Sequence, residues 1–309
     1  MKKPGNTREY AVDTAWQRQL EVGSFIGPAV FLFALFVIYP IVYLVYGSFF
    51  KWSGVGTMQW CGWANYLKLF TDDWIFRVAL KNEVLWAVFT IFPQMFLGFI
   101  LAVCLDRPLF GRDLYRAILY MPAVISPVVI GIIWQSIYDP YMGPLAHFLR
   151  SIGLDSWVRA WLAEPQTALF AIIAVNIWKW TGWSMIMYLA GLQGISKEIH
   201  EAATIDGANV FQRVTKIMWP MCRGTSLTLI LLGIIGTLQE FPLVYVLTKG
   251  GPNHASELLT THIFNEAFSM RNMGYASAIS VVLLVIGVVA SLLQLHYTGN
   301  GEPARGRKE

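Results

Sequence analysis

The chain has 309 residues, of which 56% are hydrophobic, 15% aromatic and only 14% charged, with a net charge of +4. A soluble domain carries roughly 25% charged residues, so too few are present to cover a water-facing surface. Disorder, nucleic-acid binding and an ordinary soluble enzyme are excluded, and the chain reads as one solvated by lipid.

A bilayer core needs about 20 apolar residues per helix, and six stretches qualify. Residues 22–50, 84–105 and 117–138 contain no Asp, Glu, Lys or Arg. The stretch 167–195 contains one charged residue, Lys179, and 224–248 contains one, Glu240. The last, 273–297, again has none. The first run is too long for a signal peptide and no small-residue cleavage site follows it, so it reads as a retained helix. Pro28, Pro40, Pro93, Pro122, Pro127 and Pro242 fall in or near these spans; neighbouring helices can satisfy the backbone groups they free. The expected fold is an all-α integral membrane protein: a six-helix domain over 22–297, between a cytoplasmic segment 1–21 and a cytoplasmic tail 298–309.

Orientation follows from Lys and Arg in the flanking segments. With the N-terminus inside, fourteen basic residues fall on the cytoplasmic side, among them Lys2, Lys3, Arg8, Arg112, Arg116, Lys216 and Arg305, against eight outside. Both termini are therefore expected in the cytoplasm. The outer segments 51–81, 137–166 and 248–272 are long and rich in Trp, Tyr, Gly and Pro, which suits chain folded back on the membrane surface. Asp72-Asp73 reads as a solvated turn.

The cytoplasmic loop 196–223 differs from the other connectors. Ser196 can cap a short helix with Glu198 in its first turn, continued by Ala202, Ala203 and Ile205. Gly207 supplies a turn, and Asn209 can cap a second helix presenting Val210, Val214 and Ile217 before Pro220. On local chemistry alone this is an amphipathic surface elbow or a docking element for another protein.

The order of residues is more specific. Glu201-Ala202-Ala203, Asp206-Gly207-Ala208, Ile217 and Pro220 closely resemble the EAA signature of importer permeases driven by ATP-binding-cassette subunits. Leu247-Thr248-Lys249-Gly250-Gly251-Pro252, Glu257 to Thr261 and Gly274-Tyr275-Ala276-Ser277-Ala278 resemble the carbohydrate-uptake branch, in particular the maltose-type first permease subunit. So do Gly62-Trp63-Ala64-Asn65-Tyr66 and Ala79-Leu80-Lys81-Asn82. The sequence departs from the pattern at Val214, Trp219, Gly224 and Glu83, the last standing where threonine is usual. The resemblance implies a type I importer permease fold in a bacterial or archaeal inner membrane. It also implies that Glu201, Ala202, Ala203, Asp206, Gly207 and Ala208 form a coupling helix seated in the ATPase. The implied partners are a second homologous permease, an ATPase dimer and an extracytoplasmic solute-binding protein.

Charges inside a membrane are costly and mark candidate sites. Lys179 and Glu240 each lie sixteen residues from the cytoplasmic end of their stretch, or on the order of 24 Å at about 1.5 Å per residue. They either serve a polar cavity or form an internal ion pair that fixes helix register. Asn176, Lys179, Trp180 and Trp183 share a helix face by their spacing; Thr237 and Gln239 accompany Glu240. Carboxylates and amides suit the hydroxyl edge of a sugar, and indoles suit its C–H face. The maltose-type resemblance places contact positions at Lys179, Trp180, Trp183, Thr237 and Glu240. The five histidines lack a metal or triad partner at useful spacing, and Cys61, Cys104 and Cys222 lack metal-ligand spacing. With no glycine-rich phosphate loop, the chain is expected to bind no cofactor itself, ATP and Mg being held by partner subunits. The expected function is permeation of a mono- or oligosaccharide. Glycerol-3-phosphate or another polar solute is the alternative cargo, and a proton-coupled secondary transporter the alternative class.

Overall fold

A computed structural model of the chain describes residues 15–107 and 109–299. Lys2, Lys3, Arg8, Arg305, Arg307 and Lys308, and with them most of the two expected terminal segments, lie outside the described residues.

The first span is α1 (Ala15–Phe33) and α2 (Tyr39–Gly47), joined through a π-helical turn at Ala34–Ile38. A two-stranded antiparallel hairpin follows, β1 (Phe50–Lys51) paired with β2 (Gln59–Trp60), then α3 (Ala64–Thr71). Helix α4 (Trp74–Leu105) is 32 residues long and starts ten residues before the charge-free stretch that announced it. Arg77 and Lys81 therefore sit on the helix, exposed, with Asn82 and Glu83 buried. The apolar count missed this because the helix runs on past its uncharged part.

The third span is bent. Helices α5 (Arg112–Val124) and α6 (Pro127–Ile137) meet at 97°, because the residue before a proline is driven out of the helical region; Ser126 has ψ 132. Helix α7 (Pro144–Ser151) lies in the next connector, and α8 (Ala168–Gln193) forms the fourth span. The loop after it holds α9 (Lys197–Ile205) and α10 (Val210–Arg213), the latter running through a π-helical turn into α11 (Trp219–Met221).

The fifth stretch is not one helix. Helix α12 (Arg223–Leu238) stops, residues 239–241 are non-helical, and α13 (Pro242–Leu247) starts with the proline in its first turn. Helices α14 (Leu259–Phe264) and α15 (Met273–Gly299) complete the chain. Four helices are long and apolar enough to cross a membrane, and up to six spans result when two bent pairs, α5 with α6 and residues 210–221 with α12 at 61°, are each taken as one.

Helices α4 and α8 form the centre. A side chain at Gly98 on α4 would strike the Ser184 Cβ of α8, at 2.6 Å. One at Gly182 on α8 would strike the Leu119 carbonyl of α5. Small residues permit such close backbone approach in lipid, where helices gain no hydrophobic force from one another. Phe99, Met185, Tyr188, Met218 and Cys222 fill the core near the 196–223 loop, and Trp86, Ile172, Leu243 and Leu247 fill the core towards the other face.

Candidate functional site

A cavity of about 250 Å³ opens between α4, α8 and α12. Helix α8 contributes Asn176, Trp180 and Trp183, and the end of the fifth span contributes Thr237 and Glu240. Five of the seven residues proposed from the sequence thus meet around one space. Lys179 is buried beside it, its Nζ 4.8 Å from the Trp180 ring centroid, and is not part of the lining. Gln239 is exposed and also outside the lining.

Lys179 and Glu240 do not form an ion pair among the described residues, although their charges act on one another. The Glu240 carboxylate instead accepts the Leu243 amide at 3.2 Å, capping α13, and its backbone carbonyl accepts the Thr260 hydroxyl. Its place in a non-helical break, rather than inside a helix, is what frees both groups for these roles.

A third wall comes from α4: Trp86, Thr90 and Gln94. Sequence reasoning passed over it because 84–105 carries no charge. The signal was present all the same, since residues four apart share a helix face. Three polar atoms of lining residues have no partner among the described residues: Trp86 Nε1, Gln94 Oε1 and Asn176 Oδ1. Gln94 is 8% exposed and Asn176 5%. A buried polar group without a partner costs about 1–3 kcal/mol, and these three, buried in the walls on two facing helices, would gain partners from a polar guest once the walls part.

The 196–223 loop forms the expected helix–turn–helix. Ser196 occupies the cap position of α9 without a side-chain hydrogen bond. Helix α9 ends in a Schellman arrangement: the Ala208 amide donates to the Ala203 carbonyl at 2.9 Å and the Gly207 amide to Thr204 at 3.1 Å. Gly207 has φ +73, the left-handed region that favours glycine. Asn209 and Gln212 form a reciprocal capping box at 2.8 and 2.9 Å. Ala203 is buried and Ala208 half-buried, whereas Glu201, Ala202, Asp206 and Gly207 are exposed. So are the apolar Ile205 and Phe211, at 86% and 75%.

On the opposite face, residues far apart in sequence lock together. Asn65 Nδ2 donates to the carbonyls of Ser48 and Phe50. Asn82 Nδ2 donates to those of Ala255 and Glu257, both at 3.0 Å. Glu83 accepts the Leu259 amide at 3.2 Å. The Glu257 carboxylate, buried, accepts from Asn265 and pairs with His254 Nδ1 at 2.9 Å. It lies so close to Gly250 that no Cβ fits there. Asp73 is no solvated turn: it caps α4, pairs with His262 Nε2 at 2.9 Å and accepts the Tyr275 hydroxyl at 2.5 Å. Burial pushes its carboxyl up, but hydrogen bonds from Tyr275, the Phe76 amide and His262 together hold it below its usual value. His262 finds this partner 189 positions away, a pairing that sequence spacing could not reveal.

Comparison with known proteins agrees with this architecture. The chain is similar to the probable ABC transporter permease protein YurN of Bacillus subtilis, 38% identical over 281 residues, covering 90% of this chain and 96% of that one. It is 32% identical to the diacetylchitobiose uptake system permease protein NgcF of Streptomyces coelicolor, covering 92% of this chain and 85% of the relative. A chain of the bacterial alginate ABC transporter, crystallised with an alginate pentasaccharide-bound periplasmic protein, has the same fold, with TM-score 0.80 and 22% identity over 92% of this chain and 96% of that chain. Residues 94–298 match the family described as the binding-protein-dependent transport system inner membrane component, and the chain belongs to that family as a multi-pass permease.

Proposed function

We propose that this permease carries a sugar through the cavity between α4, α8 and α12, working with a second permease, a pair of ATPase subunits and a solute-binding protein. The observation that carries the reading is the set of unpartnered polar atoms on Trp86, Gln94 and Asn176 beside the indoles of Trp180 and Trp183. Hydroxyl groups can satisfy the amides, while a pyranose C–H face can lie on the rings. That a similar permease is named for diacetylchitobiose uptake supports a saccharide cargo. Glu240 lines the cavity and Lys179 does not, which favours a neutral polyol over glycerol-3-phosphate.

ATP and Mg belong to the partner subunits in this reading, and the chain binds no cofactor. Glu201 to Ala208 would seat in the ATPase, with Ile205 and Phe211 covered on docking. The excess of Lys and Arg supports a cytoplasmic side for this loop and for both termini. Transport is alternating access: ATP and the loaded receptor each bind one state better than the other, and that difference shifts the equilibrium.

Gln94→Leu tests the cavity in vesicles of the assembled transporter. The KM for sugar uptake should rise up to about tenfold, the worth of a lost hydrogen bond, with basal ATP hydrolysis intact. The ligand-free chain should melt no lower than wild type, because an orphan buried amide has been removed. Normal uptake kinetics would place the sugar elsewhere. Uptake that collapses with a protonophore while ATP is plentiful would favour a proton-coupled carrier.

A further inference from the structure

The face opposite the 196–223 loop carries a second cavity, of about 530 Å³, between the β1–β2 hairpin, α3 and the start of α15. Lys51, Lys68 and Arg271 line it and no acidic side chain does. None of the three cations forms an ion pair among the described residues. Asp72 and Glu266 lie within electrostatic reach of Tyr275 but outside the lining. Glu266 accepts from Asn272, and Asp73 is already held by His262 and Tyr275.

The walls are fixed. Asn65 ties α3 to the hairpin through the Ser48 and Phe50 carbonyls, and the Gly274 amide donates to the Trp52 carbonyl at 3.1 Å. Lys68 Nζ sits 4.1 Å over the Tyr275 ring, a cation–π contact that keeps its charge at the cavity. Trp52 also lines the space, and its indole N–H is buried without a partner. Three cations without an ion-pair partner among the described residues define an anion site.

Its position selects the anion. The cavity lies where α2 ends and α15 begins, at the boundary between hydrocarbon and water. The same segment leaves Trp60, Trp63, Leu67 and Phe70 exposed, Trp63 at 71%. Aromatic side chains concentrate at that boundary, and Lys and Arg charges without a counter-charge attract an anionic headgroup by simple Coulomb attraction. We propose that Lys51, Lys68 and Arg271 hold the headgroup phosphate of an anionic phospholipid, whose acyl chains lie along the exposed apolar side chains of the hairpin and α3.

The test uses the full chain, purified and stripped of lipid by detergent washing. Phosphatidylglycerol, phosphatidylcholine or inorganic phosphate is added back, native mass spectrometry counts retained lipid, and thermal denaturation reads stabilisation. Phosphatidylglycerol should be retained and should raise the melting temperature, phosphatidylcholine less so and inorganic phosphate not at all. The Lys51→Gln/Lys68→Gln/Arg271→Gln variant should bind phosphatidylglycerol more weakly by about fivefold per cation removed, whereas Lys81→Gln, on the exposed side of α4, should not. Equal retention of the two lipids, or unchanged retention in the triple variant, would overturn the proposal. Stabilisation by inorganic phosphate alone would reassign the cavity to a free anion. Loss of receptor-stimulated ATP hydrolysis with lipid retention intact would assign the cations to a protein partner instead.

Discussion

The Asp73 carboxylate is joined to the Phe76 amide, the Tyr275 hydroxyl and the His262 ring, so one side chain ties the start of α4 to α14 and α15. Because its folded pKa is depressed, its stabilisation is present above the ordinary carboxylate value of about 3.9. It is lost as pH falls through the lower folded value. Asp73→Asn should therefore cost about 1–3 kcal/mol near neutrality, with the gap to wild type narrowing in strong acid. Melting curves in detergent across a pH series check this; a gap independent of pH would show that the charge is not its source. Residue chemistry was legible from sequence where it was local. Gly207 had to turn the chain and Asn209 had to cap, and each does so with neighbours a few positions away. Asp73 and His262 meet only once the chain is folded, and Gln94 was hidden because an amide carries no charge to flag it.

At the level of elements, the 196–223 loop depends on one left-handed residue between two short helices. Forcing a β-branched side chain into that conformation costs about 1–2 kcal/mol, enough to displace α9 from α10 without disturbing the spans. Gly207→Val should reach the membrane normally yet lose substrate-stimulated ATP hydrolysis in the assembled transporter, while Gly207→Asn, which tolerates the same backbone, should retain it. Retained stimulation in the valine variant would remove the loop from the coupling path. Span count was readable from apolar length alone, but span shape was not. The breaks at Ile125-Ser126 and at residues 239–241 precede Pro127 and Pro242. Pro93 and Pro122 sit inside helices that continue. A proline's local effect is the same in each case; neighbouring packing decides whether the helix absorbs it.

Across the whole molecule, packing is uneven. An 18-residue apolar window within the first span, Ser24–Gly47, buries none of its residues inside the chain, whereas the corresponding window of α8 buries 61%. Phe36→Ala in the first span should shift the melting free energy of the isolated chain by less than about 0.5 kcal/mol. Trp86→Ala, in the core beside the cavity, should cost about 3–5 kcal/mol. Comparable losses from the two would mean that the first span packs on its own chain after all.

The broken fifth span gives this uneven body a joint. Below the break, α12 follows the 196–223 loop and packs on α4 and α15, with Gly233 against Ile91 and Leu227 held by Gln294. Above it, α13 packs on α6, with Val246 against Gly131, and Glu240 ties its first turn to α14. Residues 210–221 meet α12 at 61°, and α12 ends at Leu238, beside the cavity that Thr237 and Glu240 line. Pro242 has no amide hydrogen to donate and the Leu243 amide goes to the Glu240 side chain, so the helical ladder is interrupted between α12 and α13. Were α12 to tilt at that joint, the wall it contributes would move relative to those of α4 and α8.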